Sequence, residues 1–78
     1  MTLNEVKKVI ASEDEKMMKG FIKDAPKASD KVWLEKDLKD RLNELKICRS
    51  LDEVLQWLDG FGYENPERYL LDLIIKQK

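Results

Sequence analysis

The chain of 78 residues has no histidine, one cysteine, two prolines and three glycines. Each shortage removes a class of function. Without histidine, the side chain best suited to proton transfer near neutral pH is gone, and so is the commonest metal ligand. A lone Cys48 cannot support an internal disulfide framework, which fits a reducing compartment. As a nucleophile it would need an activating base or a lowered pKa. Its place at the end of a leucine stripe argues instead for a small apolar filler. No phosphate-cradling glycine motif occurs. Glu13-Asp14-Glu15 lacks the spaced ligands of a calcium loop, and carboxylates in a first turn favour the helix dipole. No apolar run reaches the roughly 20 residues of a membrane span. The opening Met1-Thr2-Leu3-Asn4-Glu5 is not the basic-then-apolar start of a signal peptide. The expectation is a cytoplasmic protein that is not an enzyme, with no catalytic residue, no metal, no cofactor and no membrane contact.

What is present points to helices. Hydrophobic residues make up 42% and charged residues 40% of the sequence, a pairing that suits amphipathic helices rather than disorder. The length fits one domain, residues 1–78, near the lower limit for a self-sufficient core. No run alternates apolar and polar residues with β-branched enrichment, so no sheet is expected. Thr2-x-x-Glu5, Ser12-x-x-Glu15 and Ser50-x-x-Glu53 match the capping box. Ser29 can cap a further helix, and Asn65-Pro66 can open the last, with proline where its missing N–H does no harm.

These signals predict helices over about residues 3–11, 13–23, 30–47, 51–59 and 66–76. The first two share an apolar stripe and could run as one helix. The Ser12 capping box, and Asp14 falling on the apolar side, favour a break at 11–12. Asp24-Ala25-Pro26-Lys27-Ala28 reads as a linker. Leu34, Leu38, Leu42 and Leu45 line one side of the third helix. The fourth puts Leu51, Val54, Leu55 and Leu58 on one face, with Gly60 placed for a left-handed C-terminal cap. In the fifth, Tyr69, Leu70, Leu73 and Ile74 form one face, while Leu71 and Ile75 lie nearly opposite. A helix apolar on two sides is central to its domain or faces a partner. The fold class expected is all-α, a compact orthogonal or up-down bundle of four to five short helices.

Nucleic-acid binding is disfavoured. Pro66–Lys76 would be the recognition helix of a helix-turn-helix, yet it offers little beyond Arg68 and Lys76, and its other charges are acidic. The lysines of residues 1–39 number nine, against eight interleaved carboxylates, so they read as a solvated mixed-charge face. Over the whole chain, fifteen basic and sixteen acidic residues leave a formal charge of −1. Arg41 is odd, lying amid the leucine stripe with Asp37 four residues before it and Glu44 three after. The simplest expectation is a stem covering apolar surface and a guanidinium in water beside those acids.

Val54-Leu55-Gln56-Trp57-Leu58 with Gly62 resembles the opening helix of a sterile alpha motif domain, a five-helix interaction module. In that family the pattern stands near the start of the domain. Here only 16 residues follow Gly62, and no function is carried across. The aromatics say more. Trp33 and Trp57 lie off the centres of their apolar faces, and Phe61 and Tyr63 follow Trp57 closely. Tryptophan and tyrosine are over-represented among residues that dominate protein interfaces. Phe61 is expected to pack back onto the last helical turn, with the Tyr63 hydroxyl at the surface.

The function expected from these residues is that of a small interaction module, a regulator, adaptor or inhibitor. It would bind a protein partner through Trp57, Phe61, Tyr63, Leu71 and Ile75, with Trp33. The alternative is an obligate homodimer whose second apolar stripe is used in self-association.

Overall fold

A computed structural model describes residues 2–76. It is all-α, with four helices in chain order: α1 (Leu3–Asp24), α2 (Ala28–Lys46), α3 (Leu51–Gly60) and α4 (Pro66–Lys76). Two of the expected capping boxes operate. The Thr2 hydroxyl accepts from the Glu5 amide, and the Ser50 hydroxyl accepts from the Glu53 amide, each at 3.2 Å. The Glu53 carboxylate accepts in turn from the Arg49 amide. These contacts satisfy amide donors that a helix start leaves without partners.

The expected break at residues 11–12 is not there. Residues 3–24 form one continuous helix, and Ser12 is an exposed mid-helix residue. The objection to continuity was a carboxylate on the apolar side. It is answered by a partner on α2, described below. Ser29 likewise caps nothing. α2 begins at Ala28, with Lys27 in the cap position and no side-chain cap bond.

The turn after α3 also differs from expectation. Gly60 ends the helix in helical geometry, and the positive φ falls two residues later, at Gly62 (φ 86°). The Gly62 amide donates to the Asp59 carbonyl at 3.2 Å, and the Tyr63 amide to the Leu58 carbonyl at 3.0 Å. This pair of bonds is the Schellman closure, with glycine at its left-handed position. Two glycines within three residues gave two candidate endings, and the later one keeps more of the helical ladder.

α1 and α2 form an antiparallel hairpin. The Lys7 ammonium, near the start of α1, donates to the carbonyls of Lys46 (2.6 Å) and Cys48 (2.7 Å) at the end of α2. The Lys46 carbonyl is one that a helix end leaves free, and the Cys48 carbonyl follows just beyond the helix. Facing positions step by seven on both helices. Lys7 meets Cys48, Asp14 meets Arg41, and Phe21 shares a groove with Leu34.

α3 and α4 pack over the base of this hairpin. The core joins Val6 and Ile10 of α1, Leu45 of α2, Val54, Trp57 and Leu58 of α3, and Leu70 and Leu73 of α4. Each such side chain, fully buried, contributes roughly 1.5–3 kcal/mol. The molecule measures 39 × 23 × 20 Å, and its long axis reflects how the hairpin runs on past the core. Beyond Asp14 and before Arg41, only Met18 is fully buried.

Candidate functional site

The most organised chemistry in the molecule is a buried polar network where the hairpin meets the α3–α4 turn. α1 places Asp14 on the same side as Val6 and Ile10, and α2 places Arg41 on the same side as Leu45. The Asp14 carboxylate is wholly buried and Arg41 is 7% exposed. Arg41 grips Asp14 with two bonds, Nε to Oδ2 at 3.0 Å and Nη2 to Oδ1 at 2.6 Å. The Tyr63 hydroxyl donates to the same Oδ1 at 2.7 Å. Trp57, from α3, donates its indole N–H to the Arg41 carbonyl at 2.9 Å. Phe61 lies under the guanidinium, 4.4 Å from ring centre to Cζ, and 5.0 Å from the Trp57 ring. Tyr69 closes the cluster, its ring 4.7 Å from that of Tyr63.

A charge taken out of water is tolerated only when its partner and hydrogen bonds replace the solvent. Here both carboxylate oxygens are used, and no buried side-chain N or O among the described residues lacks a partner. The hydrogen bond and charge of Asp14 hold the Arg41 guanidinium above its ordinary pKa, against the opposing effect of burial. Burial raises the Tyr63 phenol well above its ordinary value, and the bond to Asp14 adds to this. Tyr69 is also raised, chiefly by burial. Burial pushes the Cys48 thiol up as well, with Glu53 adding in the same direction. A raised pKa means less thiolate and a poorer nucleophile.

The network holds elements together. It has no exposed carboxylate to offer a substrate. No group of three or more histidine, cysteine, aspartate or glutamate side chains that could hold a metal occurs among the described residues. Nor is any helix among them long and apolar enough to cross a membrane.

The six residues expected to form a partner surface divide into two sets. Trp57, Phe61 and Tyr63 are brought together, but inward, as walls of the network. Trp57 is buried and Phe61 and Tyr63 are half-buried. The Tyr63 hydroxyl expected at the surface is instead bonded to Asp14, because the closure at Gly62 turns the ring back onto the hairpin. Phe61 packs on Trp57 as expected. Arg41, expected to reach water beside Asp37 and Glu44, turns into the core. Its contact with Asp37 is a long 3.9 Å, and the short one is to Asp14.

Leu71 and Ile75 are not buried within the chain, at 53% and 59% exposed on the outer side of α4. Trp33 is 65% exposed near the far end of the hairpin. There it lines an open groove of about 410 Å³ with Phe21, Asp24, Ala25, Pro26, Asp30 and Leu34. Asp14 is the functional-looking residue that sequence reasoning passed over. The signal was available: Asp14 and Arg41 each fall among the apolar residues of their helix, and their charges are opposite.

The chain matches no model of a known protein family, no curated protein and no solved structure.

Proposed function

We propose that the chain is a small interaction module that binds a protein partner through exposed apolar side chains, Leu71 and Ile75 of α4 foremost. The observation that supports this reading is their exposure on a helix whose opposite face, Leu70 and Leu73, is already buried in the core. α4 thus carries apolar residues on a side that its own fold does not use. Two apolar side chains four residues apart are the usual anchors of helix-mediated recognition. The polar network is internal, and the reading takes binding rather than chemical conversion as the activity. As a regulator or adaptor in the cytoplasm, the module would need no cofactor.

The test is capture from the native host with the wild-type chain and with Leu71→Asp/Ile75→Asp. The expected result is a protein retained by the wild type, lost with the variant, and bound with the same dependence when purified. Both side chains are exposed, so the variant keeps its helical signal and melting temperature. Retention of the same proteins by both chains overturns the α4 surface.

A further inference from the structure

The tip of the hairpin, beyond the reach of α3 and α4, carries a surface of its own. Trp33 is 65% and Phe21 55% exposed, and both line the open groove with Leu34 and Pro26. Two large rings on one groove form a patch rather than isolated exposed side chains. The charged residues lining it are Asp24 and Asp30, both exposed. Among the described residues, neither carboxylate is paired with a lysine or arginine.

The lysines of this half of the hairpin turn elsewhere. At about 100° per residue, Lys16, Lys19 and Lys23 lie roughly 100° or more from the middle of Phe21 and Asp24. On α2, Lys31, Lys36 and Lys39 lie as far from the middle of Asp30, Trp33 and Leu34. Lys27, in the connection between the helices, does not line the groove either. The sequence balances basic and acidic residues here, but the fold sorts them by side. Asp30 has an ordinary role in the first turn of α2, where a carboxylate suits the helix dipole. Asp24 does not. It is the last residue of α1, where the helix carbonyls are already negative.

We propose that this groove docks a basic peptide segment of a partner. An arginine side chain stacks on Trp33 and reaches Asp24 and Asp30, and an adjacent apolar residue settles against Phe21 and Leu34. Charge complementarity selects this occupant. An acidic partner, or the same groove of a second copy, would set carboxylate against carboxylate. A divalent metal ion takes roughly six to eight oxygen ligands, and the groove has two carboxylates among rings and aliphatic side chains. A planar guanidinium suits both halves of such a lining, since it stacks on aromatic faces and binds carboxylates through paired N–H groups. The base of the hairpin shows the same combination at work inside the chain. There Arg41 is held by the Asp14 carboxylate and lies 4.4 Å from the Phe61 ring centre. At the tip, carboxylates and rings are presented outward.

The test uses a dye-labelled peptide in which two arginines flank a leucine, and the same peptide with citrulline for arginine, which keeps the shape and removes the charge. Binding is followed by anisotropy with protein up to about 1 mM, the weak end of specific affinities. The expected result is saturable binding of the arginine peptide that weakens as salt is raised. The citrulline peptide binds at least about tenfold more weakly, a difference of about 1.4 kcal/mol. Trp33→Ser and Asp24→Asn/Asp30→Asn each lose a similar factor. All three side chains are exposed, so both variants keep the wild-type melting temperature. Trp57 is buried, so a shift in the tryptophan emission of the wild type on binding reports Trp33. Equal affinity for the two peptides overturns the proposal without any substitution. So does an asparagine variant that binds like the wild type, or no binding at the highest concentration. Trp33 emission that responds to phosphatidylglycerol vesicles and not to the arginine peptide also overturns it, in favour of a lipid surface. The site is independent of the α4 reading. Leu71→Asp/Ile75→Asp should bind the peptide as the wild type does, and a loss there would move the peptide site away from the tip.

Discussion

The Arg41 guanidinium meets the Asp14 carboxylate, 27 residues away in sequence, through two hydrogen bonds of 3.0 and 2.6 Å between α1 and α2. Removing one partner strands the other in a dry site. Asp14→Ala is expected to lower stability by about 3–5 kcal/mol, more than a simple methylene deletion would. Asp14→Leu/Arg41→Met/Tyr63→Phe removes every group that depends on the pair, and should recover most of that loss. Urea denaturation of the two variants checks both. A triple variant as unstable as Asp14→Ala would show that the pair is more than mutual neutralisation.

Tyr63→Phe isolates the hydroxyl. A hydrogen bond to a charged group contributes about 1.5–3 kcal/mol, and this variant should lose an amount in that range by chemical denaturation. A hydroxyl in water would cost almost nothing to remove, so a loss near zero would contradict the bond to Asp14.

The same hydroxyl predicts an alkaline limit. In the folded chain the phenol keeps its proton past the pH, near 10, at which an unfolded tyrosine releases it. Above that pH the unfolded state binds fewer protons than the native state, so stability falls as pH rises. Below it the contribution is complete. Tyr69 is shifted in the same direction. Melting temperature should therefore decline above about pH 10, and less steeply in Tyr63→Phe, where Tyr69 and the raised Cys48 thiol remain. An identical alkaline slope in both chains would refute this account.

The two glycines of the turn should respond oppositely. Gly62 has a φ of 86° and no neighbour within 4 Å of an added Cβ, so any penalty at Gly62→Ala is backbone strain. It should lose about 1 kcal/mol. Gly60 is helical and equally open, so Gly60→Ala should be neutral or stabilise by up to about 1 kcal/mol. Thermal melts of the two variants decide it. The reverse order would restore Gly60 as the left-handed cap.

Helix positions were legible because caps and stripes are local. Thr2, Ser50 and Pro66 mark starts that need only their own next few residues. The all-α class followed from the same signals. The run of α1 through Ser12 was not legible, since it depends on Arg41, which lies in another helix. The same holds for Tyr63, whose direction is set by which of two nearby glycines takes the positive φ. Single-helix reasoning treats a charge on an apolar stripe as a defect. The pairing of two such charges shows only when the hairpin register is known. Leu71 and Ile75 were placed correctly on the side of α4 opposite Leu70 and Leu73, but one chain alone does not bury them.

The seven-residue step between facing positions on α1 and α2 makes the length of the projecting arm adjustable. Cutting seven residues from α1 beyond Asp14, and seven from α2 before Arg41, shortens the hairpin by about two turns. Every surviving pair then faces as before. Lys7 still reaches Cys48, Asp14 still reaches Arg41, and the base under α3 and α4 is untouched. A cut of three or four residues on one side only would instead shift one helix against the other and separate Asp14 from Arg41. Insertions and deletions in this arm should therefore be accepted in matched heptads and rejected otherwise. The molecule has a fixed body and an arm whose reach can change in whole increments.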